Sequence, residues 1–174
     1  MGKVLTSLVV ALLSCQSSAD GSSDPGSSGP PCALTLSGGT SGSFACTLRS
    51  ATWSDATDTG TVMVGYGGAG QQTPSIGATF TFPVPPRAGI FTQTDADAGT
   101  TGQITVTLGS ASWAATADAS APAEGAFTLN LTKVLPTKLL ADGEIYAFSG
   151  TLDATLPPLP QTSATGDVTL HATF

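Results

Sequence analysis

From residue 32 onward, apolar side chains recur at every second position in short runs, and no stretch of useful length repeats them at helical spacing. Val62, Val64 and Tyr66 share a phase, as do Ile76, Ala78, Phe80, Phe82 and Val84. Ile104, Val106 and Leu108 follow, then a weaker run around Trp113, then Phe127, Leu129 and Leu131. Tyr146, Phe148, Gly150, Leu152, Ala154 and Leu156 hold one phase for eleven residues, and Val168, Leu170, Ala172 and Phe174 close the pattern. Gly, Pro, Asp and Ser punctuate the runs, which is turn chemistry. Alternation of one apolar with one polar face predicts antiparallel sheets with solvent outside. The expected fold is all-β, an antiparallel β-sandwich of about eight to ten strands in one domain over 32–174. Ala88–Gln93 is a short candidate strand, and the stretch 135–143 reads as a loop with room for one helical turn at most.

The first hairpin carries a register prediction. Cys32, Leu34 and Leu36 share one strand face, and Phe44, Cys46 and Leu48 share the next. Folding the Gly-rich segment between them about Gly39 sets 32 opposite 46, 34 opposite 44 and 36 opposite 42. In an oxidising compartment that register predicts a Cys32–Cys46 disulfide. Two thiols with no nearby His make a poor metal site. A similar fold-back about Thr162 sets Asp153 opposite His171, on the polar phase of both strands. That is a solvated pair, and with no nucleophile elbow in the chain it does not read as a catalytic dyad.

Composition changes the picture in one respect. Charged residues make up only 10 % of the chain, and 5 Lys and Arg stand against 12 Asp and Glu, a formal charge of −7. No basic patch exists for phosphates, which excludes nucleic acid as an expected partner. A low charge with 40 % hydrophobic residues and abundant Thr and Gly fits an exported β-protein rather than a disordered one.

The N-terminus supplies an address. Lys3 precedes an apolar run from Val4 to Leu13, about half the length a membrane-spanning helix needs. The run ends Leu12-Leu13-Ser14-Cys15. This resembles the lipobox of bacterial lipoproteins, where a short apolar segment and a small residue precede an acylated cysteine. The resemblance covers the leader alone. It implies cleavage of a signal peptide over 1–14, lipidation of Cys15, and anchoring in the membrane by several acyl chains. Gln16 in place of Asp implies, by the same resemblance, export to the outer membrane of a Gram-negative cell envelope. Residues 15–31, rich in Ser, Gly and Pro, then form a flexible tether with a reach on the order of 20 Å. The domain itself resembles only small exported lipoproteins, a likeness that carries no activity.

Candidate chemistry is sparse. Trp53 and Trp113 lie in irregular stretches and are the candidates for a sugar-stacking platform, whereas Tyr66 and Tyr146 are in phase with the core. Asp95 and Asp97 precede Gly99, and Asp55 and Asp58 precede Gly60, in acidic turns that supply oxygen ligands of the kind calcium takes. The same residues are also ordinary turn formers. No catalytic group and no organic cofactor site is expected. The expected function is that of a lipid-anchored, non-enzymatic binding or structural module of the cell envelope, with a protein or glycan as partner. The alternatives are a glycan-binding module and a calcium-stabilised, adhesion-like domain.

Overall fold

A computed structural model describes residues 31–68, 72–118 and 121–174. The expected signal peptide, Cys15 and all but the last residue of the expected tether lie outside the described residues. Within them the chain forms β1 (Ala33–Gly38), β2 (Gly42–Ala45), β3 (Leu48–Ser54), β4 (Thr59–Tyr66), β5 (Ser75–Phe82) and β6 (Gly89–Thr92). A 3₁₀ turn over Gln93–Ala98 leads to β7 (Thr101–Leu108), β8 (Ala111–Asp118), β9 (Ala121–Glu124), β10 (Ala126–Leu140), β11 (Gly143–Leu156) and β12 (Val168–Thr173). Every strand pairing is antiparallel.

The strands form two layers. Pairing links all twelve described strands in one sheet that turns over at β11, so that one layer holds β2-β1-β12-β11-β10-β6 and the other β3-β4-β5-β7-β8-β9. Alternation puts Leu34, Leu36, Leu129, Leu152, Leu170 and Ala172 on the inner face of the first, each at most 2 % exposed. Val62, Val64, Phe80, Ile104, Val106 and Ala115 line the second, equally buried. Across the gap Phe80 meets Phe127 edge-on at 5.3 Å, a geometry that suits the ring quadrupoles. Gly102 makes that approach possible, because a Cβ there would stand 2.6 Å from the Phe127 ring.

β11 belongs to both layers. Its residues 151–156 pair with β12, and its residues 143–145 pair with β3. A strand that changes sheets makes a corner, and bulges supply the bend. Its partner β10 has register shifts between Leu131 and Lys133 and between Pro136 and Lys138. At the corner a Cβ on Gly150 would stand 2.0 Å from the Asn130 carbonyl, so only glycine fits. Arg49 pins the same place: its guanidinium donates to the Phe148 carbonyl and lies 5.0 Å from the Phe148 ring centre. After β11 the chain crosses to β8, where Ala114 N–H donates to Pro157 and Leu159 N–H to Ser112. The layers are thereby joined at two sides.

The cysteine register is as expected. Leu34 pairs with Phe44 and Leu36 with Gly42, and Cys32 and Cys46 are bridged with Cα atoms 5.3 Å apart. Asp153 likewise pairs with His171, Nδ1 lying 2.6 Å from the carboxylate in an exposed position. Three features differ from expectation. β3 starts at Leu48, where the second strand was expected to end, and its inward positions are Arg49, Ala51 and Trp53; only Ala51 is fully buried, so hydrophobicity does not mark the strand. β9 is a short four-residue edge strand. The stretch 135–143 is no loop: β10 and β11 continue as a hairpin to Leu140 and Gly143, with Leu135, Leu139 and Leu140 exposed. Among the described residues no strand pairs with the far edge of this arm, and Pro136, two Lys and two bulges guard it against strand addition.

Two substitutions test this packing in urea titrations. Cys46→Ser is expected to cost about 3 kcal/mol through the opened loop. Leu152→Ala, at the centre of the shared strand, is expected to cost roughly 2–5 kcal/mol through the cavity it leaves.

Candidate functional site

The corner gathers side chains that sequence distance separates. Trp53, next to last in β3, pairs with Glu144 of β11. Paired residues share a face, and so do residues two apart on one strand. Tyr146 therefore stands beside Glu144, and Asp55 follows Trp53 beyond the strand end. The polar edges are mutually fixed. The Trp53 indole N–H donates to Asp55 Oδ1 at 2.7 Å, and the Tyr146 hydroxyl donates to Glu144 Oε2 at 2.5 Å. Trp53 and Tyr146 are both half-buried, each with an apolar body held by its polar tip.

The electrostatics are those of a small anionic patch. Burial, the hydrogen bond to Glu144 and the charges of Glu144 and Asp55 together push the Tyr146 hydroxyl up to about 12. Tyr146 thus remains a neutral donor throughout the ordinary pH range. Among the described residues, Asp55 and Glu144 each keep one carboxylate oxygen without a hydrogen bond. Two oriented aromatic bodies and two acceptor oxygens form the site. Flat rings can stack on the C–H faces of a sugar while carboxylates accept from its hydroxyls.

The other predicted positions lie elsewhere. Trp113 is a core residue, 2 % exposed, whose indole N–H donates to the Gly166 carbonyl at 2.8 Å. It presents no surface to a ligand, and the pairing of Trp53 with Trp113 as a platform is corrected. The weak alternation around it reflects its bridge to Pro158 rather than irregular exposure. Tyr146 packs against the core, as its phase predicts, and its hydroxyl also borders the site. The signal available for it was its shared face with Glu144. Asp95 accepts from the Thr92 N–H and hydroxyl, as a turn former does, and Asp58 takes a positive φ of 48° in the β3–β4 turn. The Asp97 side chain lies outside the described residues. Among those described, no three His, Cys, Asp or Glu side chains come together as a metal-binding group. No helix among them is long and apolar enough to cross a membrane.

No family model, curated protein or solved structure matches the chain.

The Tyr146 environment has a pH consequence. The unfolded chain loses this proton near pH 10, whereas the folded chain holds it to about 12. The site's contribution to stability is full below pH 10 and is lost as pH rises toward 12. In an ultraviolet titration one of the two tyrosines is expected to ionise late, and Glu144→Gln is expected to bring that transition down toward 10.

Proposed function

We propose that the chain is a lipid-anchored protein of the bacterial cell envelope whose β-sandwich is a non-enzymatic glycan-binding module. The lipobox-like stretch ending at Cys15 supports the anchor. The observation that carries the binding reading is the Trp53–Tyr146 patch, in which each aromatic ring is locked by its own carboxylate. Locked rings lose little freedom when a ligand arrives, and so hold affinity that mobile rings would forfeit. The His171–Asp153 pair, the one arrangement with a catalytic resemblance, lies in the open, with side chains 50 % and 62 % exposed. It favours no hydrolytic reading, because catalytic acid–base pairs gain their power from partly desolvated sites.

Binding is tested by a glycan array with the full chain, followed by calorimetry on any hit. Trp53→Ala is expected to weaken the interaction at least tenfold with the fold intact. Trp113→Ala is expected instead to cost roughly 3–5 kcal/mol of stability. An empty array, or binding unchanged in Trp53→Ala, overturns the reading. Anchoring is tested separately: Cys15→Ala is expected to lose metabolic palmitate label and membrane-fraction recovery.

A further inference from the structure

At the end of the second layer where β5 gives way to β6, a cleft of about 480 Å³ opens beside the β-sandwich. It lies within the 300–1,000 Å³ range of small-ligand sites. Its floor is aromatic: Phe82, 2 % exposed, meets Phe91 edge-on at 4.8 Å. Its rim is aliphatic, with Val84 40 % and Ile90 66 % exposed. Such a rim is costly to leave in water unless something covers it. The wall of this cleft is stiffened by Pro83, Pro85 and the buried Pro86, which fix the backbone between β5 and β6.

The polar groups are few and of both signs. Arg87 lines the cleft and forms no ion pair among the described residues, in a chain whose formal charge is −7. Its guanidinium fork is built for a carboxylate. Asp95 lines the cleft as well. Both of its hydrogen bonds, from the Thr92 N–H and hydroxyl, fall on Oδ2, which leaves Oδ1 to accept from a ligand. Thr100, 8 % exposed, is the one buried polar residue among those described and also lines this space.

We propose that this cleft binds an apolar residue bearing a free carboxylate and an N–H, the chemistry of a hydrophobic peptide C-terminus. The apolar side chain covers Phe82, Phe91 and Ile90, the carboxylate meets Arg87, and the N–H is donated to Asp95. Charge complementarity decides against a neutral lipid tail, which would leave Arg87 without use, and against a dianion, which Asp95 would repel. The site is separate from the Trp53 patch and does not depend on the glycan reading.

N-acetyl-leucine is the probe, titrated into the full chain in detergent micelles and followed by amide shifts at Ala88, Ile90 and Thr100. Site-resolved shifts separate cleft binding from partition into micelles. Saturable shifts confined to the cleft are expected. N-acetyl-leucinamide, which lacks the carboxylate, is expected to bind about tenfold more weakly, and Arg87→Gln to lose the same factor for the acid alone. Ile90→Asp, at an exposed position, is expected to abolish the shifts while the rest of the spectrum is unchanged. Equal binding of the amide, indifference to Arg87→Gln, or no saturation overturns the proposal.

Discussion

Two sheets, each with an apolar face, must share one core, and here a single strand obliges them to. β11 runs for fourteen residues, with residues 151–156 paired to β12 in one layer and residues 143–145 paired to β3 in the other. Separate sheets would be free to slide or splay. A continuous backbone fixes their spacing and the direction in which each presents its inner face. The requirements of that crossing are met locally: glycine at 150 where backbones nearly touch, bulges on β10 where the ladder bends, and Arg49 clamped over Phe148. The single disulfide staples β1 to β2 at the margin of this frame and does not define it.

The same crossing makes the candidate site. Glu144 and Tyr146 reach Trp53 only because the first turns of β11 have left their own layer to pair with β3. The ring tips there are each held by a neighbouring carboxylate, which fixes the orientation of both aromatics. The cleft between β5 and β6 arises differently, from a proline-rich connection too stiff to collapse onto the sheet edge. One site is made by a strand that bends and the other by a segment that cannot.

Much of the fold was legible where burial is complete. The core strands declared themselves because every inward residue is apolar, and the Cys32–Cys46 and Asp153–His171 registers followed from period two and a turn. Legibility failed where a strand's inner face is not apolar. β3 turns Arg49 and Trp53 inward, so its alternation carries no hydrophobic signal. The β10–β11 arm has leucines on the outside and bulges that break the period. Trp113 and Trp53 looked alike in sequence, since both sit among Ser, Ala and Thr. What separates them is a long-range contact, with Gly166 for one and with β11 for the other. The site was missed in part for the same reason: its members are near only through a pairing between strands ninety residues apart.

β12 lies between β1 and β11, in the middle of its layer. β1 therefore has β2 as a neighbour early, but no central partner until residues 168–173 have been made. A ribosome emits β1 long before β12, so the inner edge of β1 waits, unpaired, until β12 has followed. Such an arrangement resists premature folding. Lateness of this kind makes the central ladder of the layer the last to close, so that β1 and β11 are locked together in a single step by one strand.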